Sequence, residues 1–265
     1  MYDLVIAYRI YPWISKKPLF FDDDKLKLTE LGIKSYLAGL WKLNAKTLFL
    51  LDWCSLEYDS MIEKLCWTRY QYEIYHYNKI GNFWTFAEQI RLLEQQNQSE
   101  YIYFAEDDYL YAPDSIMIWL AFLKQNPSDF ITLYDHSDNY RLFFQAQYHP
   151  SIALYDNMHR RTNVSTCLTF MCSKATLKRY KETFLTYCKN NYDYGIRLSI
   201  TKQNIIPHSK DHFFMNLRAL RYNPYRFIFQ NKSHVFSPIP SLATHLESTW
   251  VAPGVDRNKI KDLYN

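Results

Sequence analysis

The amino-acid sequence predicts an α/β fold, a mostly parallel central sheet with helices on both faces. Two observations carry that expectation. Through the first 112 residues, apolar runs too short for helices alternate with longer segments whose apolar residues recur at helical spacing. Strand and helix repeated in this order imply parallel strands, because each parallel connection needs a crossover. In addition, no repeat, low-complexity tract or long polar linker interrupts the 265 residues, so one domain is expected, with 1–112 and 113–265 as its two halves.

Residues 4–8 are the first expected strand, running into Arg9 and the Tyr11-Pro12 pair. Residues 29–43 follow as a helix, with Leu31, Ile33, Tyr36, Leu37, Leu40 and Trp41 close to a helical repeat. The second strand, 46–51, stops at Asp52; a helix at 60–70, a strand at 72–77, a turn at 78–82 and a helix at 83–95 come next. The fourth strand, 101–105, is rich in aromatic and β-branched residues and ends abruptly in Glu106, Asp107 and Asp108. Beyond Pro113 the pattern loosens. A helix is expected over 114–124, strands over 130–134 and 166–171, and a hairpin or irregular crossover over 141–155. Helices over 173–188, capped by Ser173, and 194–201 complete the assignment, and 207–240 mixes aromatic and basic residues without a clear period.

Composition narrows the function classes. At 48% hydrophobic and 18% aromatic the chain can bury a large core and is not a disordered segment. A net charge of +4, read as dispersed, argues against a nucleic-acid partner, and Arg160, Arg161, Arg218, Arg221 and Arg226 are read mostly as solvated. Five cysteines without Cys-x-x-Cys spacing suggest neither a disulfide framework nor a zinc knuckle, and fit a reducing compartment. The start lacks a signal-like core and no apolar run reaches membrane-spanning length, so a cytoplasmic protein is expected, with peripheral membrane contact left open. The five glycines form neither a dinucleotide fingerprint nor a P-loop, so any nucleotide is held in some other way.

The acidic triplet is the strongest local signal. Ligands of open α/β sheets bind at the carboxyl edge, and three adjacent carboxylates there repel one another unless a cation or a set of donors holds them. Mg²⁺ or Mn²⁺ is one such holder. A solvated acidic turn ahead of Pro113, with Asp114 in the first turn of the next helix, is the other reading, and local sequence does not separate the two.

A strand at the start of the chain, a second ending in Asp52 ahead of Ser55, a turn with Gly81-Asn82 opening a helix, and a strand ending in Glu106-Asp107-Asp108 together resemble the nucleotide-sugar-binding half of a GT-A glycosyltransferase, similar to glycosyltransferase family 2. The triplet stands where that family has its D-x-D motif, with Glu106 in place of the first Asp. A weaker likeness extends to 166–171, Asp193 and 240–245. The glycine-rich character usual in the family is missing, and the acidic pair usual at its acceptor site is here Tyr192-Asp193.

The resemblance implies a nucleoside-diphosphate sugar as donor, a glycan or other hydroxyl compound as acceptor, and Mn²⁺ or Mg²⁺ acting on the leaving diphosphate. It implies that Asp108 binds the ion, that Glu106 or Asp107 reaches the ribose or a metal-bound water, that Asp52 reads the base or ribose, and that Tyr8 and Arg9 contact base and diphosphate. His245 matches the late histidine with which some GT-A enzymes complete the metal site; a hydrogen-bonded structural histidine is the alternative. Asp193 stands in the place of the general base of an inverting transfer, with a helix N-cap as the alternative and Asp211 as the fallback base. Two other functions compete: a non-catalytic nucleotide-sugar or glycan-binding module, against which the intact triplet counts, and a two-metal nucleotidyltransferase, against which the missing phosphate loop counts. Trp13, Trp84, Trp119 and Trp250 have rings suited to sugars, but most are expected in the core.

Overall fold

A computed structural model describes residues 1–14, 17–126, 129–141, 150–163, 165–203, 205–207, 209–229 and 231–264. β1 (Leu4–Ile10), β2 (Ala45–Asp52), β3 (Gln71–Tyr77) and β4 (Tyr101–Glu106) pair in the order β3-β2-β1-β4, all parallel. α1 (Lys25–Gly39), α2 (Leu56–Cys66) and α3 (Gly81–Gln95) are the crossovers between them. This is the expected α/β alternation. α1 begins four residues earlier than the apolar pattern suggests, because Asp24 caps it by accepting the Lys27 N–H at 2.9 Å.

After β4 come β5 (Tyr109–Tyr111), α4 (Ser115–Gln125), β6 (Phe130–Ile131), α5 (Asp138–Arg141), β7 (Ile152–Tyr155), β8 (Met158–Thr162) and β9 (Phe170–Ser173). Then follow α6 (Lys174–Leu185), α7 (Asp193–Thr201), α8 (Lys210–Tyr222), α9 (Pro224–Phe229), β10 (Val235–Ile239), β11 (Ala243–His245) and α10 (Arg257–Asp262). The sheet extends as β4-β9-β6-β10-β8-β7, with β9 antiparallel to β4 and β6, β10 parallel to β6, and β8 antiparallel to β10 and β7. β5 and β11 form a separate antiparallel ribbon.

In this second half the sequence reading is less accurate. The strand expected at 166–171 starts only at Phe170, because Cys167 and Leu168 take φ of 47° and 63°, which no strand accommodates. The strand at 130–134 shortens to two residues. Most of the expected crossover at 141–155 falls outside the described residues; its last part, β7, makes a hairpin with β8. Ser173 caps α6 as expected, accepting the Thr176 N–H at 3.1 Å.

Alternation along the parallel strands sorts side chains between two cores. Leu4, Ile6, Tyr8 and Ile10 join Phe49, Leu51, Tyr103 and Ala105 against α1, α2 and α4. Val5 and Ala7 join Leu48, Leu50, Ile102 and Phe104 against α3 and α6. Tyr8 is thereby corrected from base contact to core residue: it is fully buried, its ring 4.8 Å from that of Tyr36 and 5.5 Å from that of Phe49. Arg9, one residue on, belongs to the α3 face.

Gly195 sets the seat of α7. A Cβ there would stand 2.2 Å from Oδ1 of Asn191, a buried side chain that donates to Thr186 Oγ1 at 2.9 Å. Gly195→Ala is therefore expected to cost about 1–3 kcal/mol through overpacking, read as a lower urea midpoint at unchanged slope.

Candidate active site

The carboxyl ends of β1, β2 and β4 and the N-terminus of α3 surround a cleft of about 370 Å³. Arg9, Asp52, Glu106, Asp107, Asp108 and His245 all line it, so four distant segments bring most of the candidate residues together.

Parity and register explain how. Arg9 stands opposite Glu106 in the β1–β4 ladder, and both side chains lie on the α3 face. The Arg9 guanidinium donates to the Glu106 carboxylate through Nη2, and through Nη1 to the Asn82 carbonyl at 2.9 Å and Asn82 Oδ1 at 2.6 Å. Thr169 Oγ1 donates to the other Glu106 oxygen at 3.0 Å. Asp107 points the opposite way and meets α1, with Lys25 Nζ at 2.8 Å and the Thr29 hydroxyl at 3.1 Å. Burial pushes the Asp107 carboxyl above its ordinary value, and Lys25 works against that shift.

Asp108 is the most exposed of the three acids, at 38% against 19% for Glu106 and 9% for Asp107. Its Oδ2 lies 3.2 Å from His245 Nε2, and its Oδ1 has no hydrogen-bond partner among the described residues. The β5–β11 ribbon makes this pair: His245 stands opposite Tyr109, and the Leu246 N–H donates to the Asp108 carbonyl at 2.7 Å. Burial disfavours the charge on both partners, yet their mutual attraction prevails, raising the His245 value and lowering the Asp108 carboxyl to about 2. The repulsion inferred from the triplet is thus answered within the chain, since Arg9, Lys25 and His245 each stand against one carboxylate.

Two expected ligand contacts are revised by these bonds. Asp52 is almost wholly buried and its two carboxylate oxygens accept the Ile80 N–H at 2.9 Å and the Gly81 N–H at 2.8 Å. It caps the turn into α3, where Gly81 takes φ of +79°, a conformation suited to glycine. Arg9, expected on a diphosphate, has its guanidinium engaged by Glu106 and Asn82.

Asp193 does not line the cleft. Ser165 Oγ donates to its Oδ2 at 2.6 Å, and Oδ1 lies 3.4 Å from Nε of the fully buried Arg197. The N-cap position of α7 is Tyr192, and the helix start carries no side-chain cap bond, so the capping alternative fails. Burial, then the Asp193 carboxylate, push the Cys167 thiol up, with Glu106 adding to both, so the two acids share a neighbour. Asp211 lies exposed in the first turn of α8, outside the cleft lining.

Sequence reasoning passed over Lys25, Thr29, Thr169, Ser165 and Arg197, none of which has a local signature. The expectation that most of the four named tryptophans lie in the core fails: Trp119 is buried, but Trp84 is exposed and Trp250 only half-buried. Trp13 is 54% exposed at the cleft, its ring 5.5 Å from that of Trp53, which is 44% exposed and has Lys79 Nζ 4.2 Å from its centroid.

Among the described residues no group of three or more His, Cys, Asp and Glu is arranged to cage an ion. Asp108 and His245 form a smaller donor set. A carboxylate and an imidazole suit a divalent ion that completes its shell with water and phosphate oxygens, so the residues present fit such a group.

No protein-family model and no curated protein matches the chain. Among solved structures it is similar to a protein of Desulfovibrio desulfuricans G20 provisionally named a nucleotide-diphospho-sugar transferase, at 12% identity and a TM-score of 0.38 over 50% of this chain. It is also similar to residues 1–349 of S. aureus TarS, at 14% identity and a TM-score of 0.46 over 88% of this chain. The chain spans 58% and 59% of those two, respectively. At such scores and identities neither likeness carries an activity.

The Asp108–His245 pair links stability to pH. His245 has a raised folded value, so its contribution is fully present below the unfolded value of about 6.5 and is lost as pH rises through the folded one. Asp108, lowered, contributes above about 3.9 and loses that contribution as pH falls towards about 2. In metal-free buffer the stability gap between wild type and His245→Gln is expected to narrow from pH 6 to pH 9 in urea unfolding. A gap independent of pH would remove the ion pair from the account.

Proposed function

We propose that the protein is a glycosyltransferase that moves a sugar from a nucleoside-diphosphate donor to a hydroxyl acceptor, with Mg²⁺ or Mn²⁺ as its ion. The observation that carries this reading is the convergence, at the carboxyl edge of four parallel strands, of the acidic triplet, His245 and the N-terminus of the 15-residue α3 in one cleft. Residues 1–112 supply the nucleotide-binding half in this reading and 113–265 the acceptor half.

Asp108 and His245 would hold the ion, which when bound supplies Lewis-acid stabilisation of the charge on the leaving diphosphate. Asp52 already takes the Ile80 and Gly81 N–H groups at the entry to α3, so in this reading the charge of the diphosphate is met chiefly by the ion. Arg9 and Lys25 keep Glu106 and Asp107 fixed, so Asp108 is presented on a rigid base. The Trp13–Trp53 pair offers exposed ring surface for a base. Asp193 takes the acceptor proton in this scheme, with Ser165 and Arg197 orienting its carboxylate, and a carboxylate base favours inversion.

Calorimetric titration with a panel of nucleoside-diphosphate sugars, with and without Mn²⁺, tests the donor site. Metal-dependent binding is expected for one nucleotide class, and Asp108→Ala should weaken it ~10–100-fold. An unchanged metal-dependent affinity in that variant sinks the assignment, and binding without any transfer or hydrolysis leaves a binding module.

Asp193→Asn retains most of the shape but cannot accept a proton, so turnover is expected to fall ~10²–10⁴-fold. Stability should fall as well, because buried Arg197 loses a charged neighbour. Donor affinity, measured on the folded fraction, should hold. Near-normal transfer would take Asp193 out of the mechanism.

A further inference from the structure

The net charge of the chain is not dispersed as its composition suggested. Between residues 202 and 232 stand six Lys and Arg against one Asp, a local charge of +5, so the rest of the chain sums to −1. The same segment carries a run of exposed large apolar side chains: Ile205, Ile206, Phe213, Phe214, Met215, Leu217, Tyr225, Ile228 and Phe229, with Ile206 75% and Phe229 69% exposed.

Helical geometry places charge and apolar area together. Only His212 and Ala219 of α8 are buried. At 3.6 residues per turn, Lys210, Phe213, Phe214, Leu217 and Arg221 fall on the opposite side of the helix. Phe214, Leu217, Arg218, Arg221 and Tyr222 line a shallow depression there. α9 buries none of its residues and adds Tyr225, Ile228 and Phe229. Phe213 packs beside Phe214 and Tyr225 beside Phe229, and exposed aromatic and aliphatic side chains among Lys and Arg suit the boundary between lipid headgroups and acyl chains.

We propose that α8 and α9 dock on the surface of an anionic lipid bilayer. Charge complementarity selects this occupant: the concentrated positive charge is attracted by acidic headgroups, while the phenyl and aliphatic groups enter the boundary. Attachment is to the surface, since among the described residues no helix is long and apolar enough to cross a membrane. The face is held to the body of the protein. Tyr222 donates to the Lys189 carbonyl at 2.6 Å, Arg218 donates to the Asn190 carbonyl and lies 4.1 Å over the Tyr192 ring. A docked membrane therefore lies beside the turn that leads into Asp193.

Flotation of the full chain with vesicles of phosphatidylcholine alone, or mixed with phosphatidylglycerol, tests the proposal without reference to catalysis. Binding is expected with phosphatidylglycerol present, falling as salt is added. Lys210→Gln with Arg221→Gln should weaken it about 25-fold, roughly fivefold per charge. Phe214→Ser with Leu217→Ser should abolish retention at high salt while melting stays near wild type, since both side chains are exposed. Equal binding to both vesicle types, no flotation, or unaltered flotation of both variants overturns the proposal. A soluble dimer that Phe214→Ser dissociates does so too, since the face then belongs to a second copy of the chain.

Discussion

A guanidinium taken out of water must meet an opposite charge, because an isolated buried ion is far too costly to keep. Arg9 is such a group, at the end of a strand whose other residues are fully enclosed. Its partner Glu106 lies directly across the β1–β4 ladder, and its Nη1 donates to Asn82 at the start of α3. One side chain thus joins two strand ends and a helix N-terminus, the three elements that form the cleft floor. Shifting β4 by a single residue would turn Glu106 to the other face and leave Arg9 unpaired, so the pair also opposes register slip.

The same alternation distributes the triplet. Glu106 falls on the α3 side, Asp107 on the α1 side beside Lys25 and Thr29, and Asp108 passes beyond the strand to meet His245. Consecutive carboxylates that would repel in an unstructured turn are therefore separated by strand geometry and matched one by one with cations. Asp108 is left the most exposed, and its counter-charge is an imidazole, the one group among the three that can lose its proton near neutral pH. That difference sets Asp108 apart from Glu106 and Asp107, which are held by Arg9 and Lys25.

The second half of the chain works by return rather than by succession. β11 arrives more than a hundred residues after β5, yet its pairing sets His245 against Asp108, and the bend at Cys167 and Leu168 brings Thr169 to Glu106. Arg197, wholly buried against Phe170, Phe184 and Phe130, ties Asp193 to this part of the core. α8 and α9 pack on it from outside with little of their own surface buried, which leaves their apolar side chains to face outward.

The sequence by itself determined the parallel half of the sheet and the position of the acidic edge, because strand and helix periods are local properties that apolar residues record directly. Six candidate residues did gather in one cleft, for strand ends in an open sheet share an edge. Their separate roles were decided by tertiary structure. Alternation shows that Tyr8 and Arg9 point to opposite faces but not which helices cover each face, so nothing local reveals that α1 encloses Tyr8. Asp52 looked like a base-reading acid because nothing local reveals that the Ile80 and Gly81 N–H groups come to its carboxylate. Lys25, Thr169 and Ser165 bear no pattern of their own. Their partners lie dozens of residues away, and such contacts follow from how layers pack, a matter on which periodicity is silent.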